Sequence, residues 1–113
     1  MAVAGTRQRI VAAVHGWEKV EIRPHRYGGL ELRLGKRELG HVHGDALVDI
    51  PFPKAVRNEI VAAGEAEPHH ILPKSGWVSV FLRTNEDVQR AIALLERSFH
   101  LAVAHHRSAA AEP

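Results

Sequence analysis

The chain has 113 residues, 45% hydrophobic and 25% charged, enough for one domain with one core but not for two. It has no cysteine, which excludes a disulfide framework, a thiolate nucleophile and a thiolate zinc site. Fifteen basic residues against thirteen acidic ones leave a formal charge of +2 with histidines neutral, and no basic run marks a nucleic-acid surface.

Ile10, Val11, Val14 and Trp17 recur at helical spacing, with Thr6 as N-cap and Gly16 as stop, so a first helix is expected over 6–15. Val20 and Ile22 alternate with Glu21 and Arg23 in a short strand that Pro24 ends. After Gly28-Gly29, Leu30, Leu32 and Leu34 point one way while Glu31 and Arg33 point the other. Gly35-Lys36 suits a two-residue type II′ turn. That turn sets Leu34 opposite Arg37, Arg33 opposite Glu38, Leu32 opposite Leu39 and Leu30 opposite His41. In this register Leu39, His41 and His43 face the core side with Leu30 and Leu32, and a slip of one residue would reverse them.

Gly44-Asp45 turns the chain into a strand over Ala46–Ile50. Pro53 suits the first turn of a helix, whose apolar face is Val56, Ile60 and Val61 and whose end is Gly64. A loop over 65–75 carries His69-His70. Trp77–Arg83 is apolar on both faces and reads as a central strand. Thr84 and Asp87 form a capping-box-like start, and Val88, Ile92, Leu95 and Phe99 mark one face of the last helix. The predicted order is α-β-β-β-β-α-β-α. This is an α+β fold, a single two-layer domain over 1–104 with an antiparallel-rich sheet and helices packed on one face. A flexible tail is expected over 105–113.

No apolar stretch approaches a membrane span, and Met1–Arg7 lack a secretory signal. A soluble, cytoplasmic protein is expected.

The chemistry-bearing residues are histidines. His41-Val42-His43 puts two imidazoles on one face of a strand, a spacing used by metal sites. His69, His70, Asp45 or Asp49 can supply further ligands. The alternative is that these are core-edge histidines hydrogen-bonded to backbone or carboxylates. Without a metal, a histidine beside Asp45 or Asp49 can act as a general base, with Arg26 or Arg83 holding the resulting anion. Pro24-His25-Arg26-Tyr27 is a polar loop at a sheet entrance, where binding groups gather. Trp77 suits core filling or ligand stacking.

Several motifs in order carry a resemblance. Pro24-His25-Arg26-Tyr27-Gly28-Gly29, Leu34 through Asp45, and Asp49-Ile50-Pro51-Phe52-Pro53 resemble the luciferase-like domain family. Glu67 through Pro73 and Ser75-Gly76-Trp77-Val78 continue the likeness, which spans about residues 17–100. The family takes its name from fungal luciferase, which oxidises a hydroxylated pyrone with molecular oxygen and emits light; it also has small bacterial members. The resemblance implies the domain rather than that reaction. His41, His43, Asp45, His69, His70 and Trp77 lie in its motifs. More distantly, Gly76-Trp77-Val78 followed by a helix ending Glu96-Arg97-Ser98-Phe99 is similar to the MmcQ/YjbR-like proteins, a likeness that implies a compact α+β fold and DNA binding.

The functional expectation is a small-molecule oxygenase or binder. Its catalytic candidates are His41, His43, Asp45, His69 and His70, and its substrate-binding candidates are His25, Arg26 and Trp77. The expected partner is a small organic ligand, and no flavin or nicotinamide motif is present. The alternatives are a histidine-ligated metal-binding domain and a non-catalytic interaction or DNA-binding module.

Overall fold

The computed structural model describes residues 3–24 and 29–111, with side chains as far as His105. His25, Arg26 and Tyr27 therefore lie outside the described residues. The chain runs α1 (Thr6–His15), β1 (Val20–Pro24), β2 (Leu30–Leu34), β3 (Arg37–His43) and β4 (Leu47–Pro51). Then come α2 (Lys54–Ala62), β5 (Glu67–Pro68), β6 (Trp77–Phe81) and α3 (Asn85–Ala111). The last helix continues through the segment that the sequence reads as a tail.

The six strands form one sheet in the order β1-β2-β3-β4-β6-β5, with every described pairing antiparallel. β6 is thus interior, shielded on its outer side by the two-residue β5. Leu32, Val42, Val48, Ile50, Val78, Val80 and Leu82 form the buried face, and Ile10, Val14, Ile60, Val88, Ala91 and Leu95 cover it from the three helices. This is the expected α+β layering, driven by removal of apolar side chains from water.

The N-terminus of α3 has the expected box: Asp87 N donates to Thr84 Oγ1 at 3.2 Å and Thr84 N donates to Asp87 Oδ2 at 2.9 Å. α1 begins differently. Gly5, with φ 75, is its N-cap, and Thr6 Oγ1 instead donates backward to Val3 O at 2.6 Å.

The β2–β3 hairpin starts as expected, with Leu34 opposite Arg37 and Arg33 opposite Glu38. Gly35 has φ 62 and Lys36 keeps a negative φ, as a type II′ turn requires. The register then shifts, so that Leu32 pairs with Gly40, Glu31 with His41 and Leu30 with Val42. The expected Leu32–Leu39 and Leu30–His41 pairs do not form. The cause is a β-bulge at Leu39-Gly40. Gly40 has φ 155, and a Cβ there would lie 2.7 Å from Leu95 Cδ2 and 2.9 Å from Asp49 O. Ser98, buried on α3, donates its hydroxyl to Leu39 O at 3.0 Å and satisfies a carbonyl at the bulge. The added residue puts Val42 in the core and turns His41 and His43 to the face away from the helices. The expected core-facing histidines are therefore corrected to the opposite face.

Candidate metal centre

The register aligns one row of residues across that second face. Glu31 pairs with His41, His41 with Asp49, Asp49 with Ser79, and Ser79 with Glu67. His43, two residues beyond His41, shares the face. After β5 the chain folds back over the sheet and brings His69 and His70 onto the same row. His70 N donates to Ser79 Oγ at 3.3 Å and helps hold that loop down.

Asp49 is the centre of the arrangement. Among the described residues no helix covers this face, yet the Asp49 side chain is only 1% exposed, with four imidazoles and Ser79 packed around it. Asp49 Oδ2 lies 3.2 Å from His41 Nε2, 3.0 Å from His43 Nε2 and 3.2 Å from His70 Nε2. His69 Nε2 lies 3.5 Å from the same oxygen. Asp49 Oδ1 accepts from Ser79 Oγ at 2.7 Å. One carboxylate oxygen has about two lone-pair directions, so four converging nitrogens are more than hydrogen bonding alone serves.

The donor set fits a metal ion. Nitrogen and oxygen donors about 2.1 Å from a shared ion stand about 3.0 Å apart in an octahedron and about 3.4 Å apart in a tetrahedron. The separations of 3.0–3.2 Å from Asp49 to His41, His43 and His70 fall in that range, and that to His69, 3.5 Å, lies just beyond it. His41, His43 and Asp49, and likewise Asp49, His69 and His70, each offer ligand atoms within 4.8 Å of one another. His43 and His70 are the more exposed members of the cluster, their side chains being 34% and 35% exposed, while His69 is 9% exposed.

Electrostatics tie the groups together. Burial raises the Asp49 carboxyl, but hydrogen bonds from His41, Ser79 and His70 outweigh it and hold the group well below the usual carboxylate range. Burial lowers His41, yet hydrogen bonds to Asp49 and Glu38 prevail and push it up to about 9. His69 is lowered by burial against the pull of Asp49, with His70 and His41 adding to the lowering.

A luciferase domain family model matches residues 36–98, over half of the chain and all of this cluster. The chain belongs to the luciferase domain family. No curated protein and no solved structure matches it significantly. Within this luciferase domain the match runs from the β2–β3 turn into α3, so β3, β4, the His69-His70 loop and β6 are all included.

Of the residues singled out in the sequence, His41, His43, His69, His70 and Asp49 come together. Trp77 stands beside them, its ring centroid 5.1 Å from that of His41 and 6.0 Å from that of His69. Asp45 is placed elsewhere, where its Oδ1 accepts from Arg7 N at 2.8 Å at the start of α1. Arg83 lies over the Phe81 ring and 3.7 Å from Glu67.

Sequence reasoning passed over Ser79, although a serine alternating with Trp77 and Phe81 on an apolar strand was a signal. It also assigned Glu38 to Arg33. The backbone pairing holds, but Arg33 takes Glu31 at 2.8 Å and Glu38 turns to His41 Nδ1 at 2.7 Å. A hollow of about 350 Å³ lies between Trp77, Glu38, Arg37 and Pro51-Phe52-Pro53. Larger clefts lie around Trp17 and Lys19 and along α1 by Val11 and Ile22, away from the histidine–aspartate cluster.

Proposed function

We propose that this luciferase domain holds a divalent transition-metal ion on its histidine–aspartate cluster and uses it in oxidative chemistry on a small organic molecule. The observation that carries the reading is the approach of four imidazole nitrogens to one oxygen of Asp49. Imidazole and carboxylate donors suit zinc, iron, nickel or manganese. Such an ion, when bound, supplies Lewis acidity or redox capacity at its open positions. The exposed edges of His43 and His70 leave a path for a ligand, and the hollow beside Trp77 offers room for an organic body. Family membership favours a small-molecule oxidation over a purely structural metal.

His41 is poorly suited to act as a metal-free base. With its pKa near 9, His41 carries a proton at neutral pH and does not readily accept another. A DNA-binding module lacks its basic stripe.

The test is calorimetric titration of dialysed, tag-free protein with Zn²⁺, Mn²⁺, Ni²⁺ and anaerobic Fe²⁺, followed by dioxygen uptake over a panel of electron-rich enols. The reading expects one ion per chain, lost in Asp49→Asn, and oxygen uptake only by the loaded protein. Absence of binding by every ion removes the metal. Binding without oxygen uptake removes the oxidation.

A further inference from the structure

The four imidazoles are not equivalent, and their other ring nitrogens separate them. A neutral imidazole carries one proton, so a hydrogen bond at Nδ1 decides the state of Nε2. His41 Nδ1 meets the Glu38 carboxylate at 2.7 Å. It must donate there, so the proton on Nε2 is the one a metal displaces, and the lone pair then exposed is aimed at the centre. His69 is the reverse. Its Nδ1 accepts from two backbone groups, Ile71 N at 3.2 Å and Leu72 N at 3.0 Å. Neither donor can be exchanged for an acceptor without breaking the loop. Nδ1 of His69 is thus unprotonated, and its proton sits on Nε2. To coordinate a metal through Nε2, His69 would have to become an imidazolate.

We infer that His41, His43, His70 and Asp49 are the metal ligands, and that His69 stands outside the coordination shell as an N–H donor to Asp49. The inference rests on the metal reading above. Distance agrees, since His69 Nε2 is the farthest of the four nitrogens from Asp49 Oδ2, at 3.5 Å. Burial agrees too, because His69 is the most enclosed of the four. The result is a three-histidine, one-carboxylate site with His43 and His70 as its more exposed members. His69 is a positioning residue that orients the carboxylate, as partners outside the shell do in other metal sites.

The test uses the full chain labelled with ¹⁵N-histidine and loaded with Zn²⁺, read by long-range proton–nitrogen correlation. The expected result is a protonated, metal-free Nε2 on His69, beside metal-shifted Nε2 signals from His41, His43 and His70. A metal-shifted Nε2 on His69 overturns the assignment. Zn²⁺ titration of variants gives an independent readout. His41→Ala, His43→Ala and His70→Ala should each lose stoichiometric binding. His69→Gln, which keeps an N–H donor, should stay stoichiometric with affinity reduced by about 10- to 100-fold. If His69→Gln loses the ion as completely as His70→Ala, the ligand assignment fails while the metal reading stands. If the wild-type chain binds no ion, both fail.

Discussion

His41 Nδ1 stands 2.7 Å from Glu38 Oε2, two turnward residues of one strand closed into a pair beside the bulge. The contact fixes the imidazole's orientation and leaves its Nε2 directed at Asp49. It also raises the basicity of the nitrogen that faces the centre. Glu38→Gln should therefore weaken metal binding by about 10- to 100-fold while leaving the fold intact. Zn²⁺ titration together with circular dichroism checks this, and unchanged affinity would remove Glu38 from the site.

The pH dependence has opposite signs with and without metal. In the metal-free domain His41 holds its proton to about pH 9, against 6.5 when unperturbed. Its contribution to stability is complete below pH 6.5 and disappears as pH rises toward 9. A shift of that size is worth on the order of 3 kcal/mol. Asp49 works the other way, contributing above its ordinary 3.8 and losing that contribution in acid. Thermal stability in a chelator should therefore fall as pH rises from 6.5 toward 9, and fall also in acid, where Asp49 loses its contribution and His69, held low by burial, resists the proton that the unfolded chain takes up. A metal must displace the His41 proton, so affinity should climb over that same upper range. Melting curves with EDTA and with Zn²⁺ should separate increasingly from pH 6.5 to 9. A metal-free melting temperature that rises across this range would contradict the reading.

Much of the fold is legible in local pattern. Helical spacing of Val88, Ile92, Leu95 and Phe99, the Thr84–Asp87 cap and the Gly35 turn all arise from neighbours in sequence, and all appear. The face of the histidines was not legible, because it depends on the bulge at Leu39-Gly40. Leu95 and Ser98, more than fifty residues away, define that bulge. The His-x-His pair and His69-His70 could be picked out by residue type. Their meeting on Asp49 depends on β4 lying between β3 and β6 and on a loop folding back over β6. Neither is a local property. Thr6 shows the limit in miniature: a good cap residue by type, it bonds backward to Val3 while Gly5 takes the cap.

The bulge gives its own prediction. At Gly40 a methyl group would meet Leu95 and the Asp49 carbonyl at a φ that L-residues rarely adopt. Gly40→Ala should cost about 2–4 kcal/mol, the sum of strain and overpacking. Ser98→Ala leaves the Leu39 carbonyl without its buried donor and should cost about 1–3 kcal/mol. Urea unfolding of both variants checks these values. In Gly40→Ala, loss of metal binding should accompany the loss of stability, because the bulge directs His41 and His43. A Gly40→Ala domain of unchanged stability would show that the bulge is not needed.

The central claim is that the convergence on Asp49 is a metal centre. The most direct measurement is the metal content of tag-free protein by mass spectrometry, as purified and after incubation with zinc, iron and nickel, beside Asp49→Asn and His41→Ala. The account predicts one ion per wild-type chain and a substoichiometric trace in both variants. A wild-type chain that stays metal-free after every incubation, with the variants equally folded, would contradict it and leave the histidines as a hydrogen-bonded cluster around a buried carboxylate.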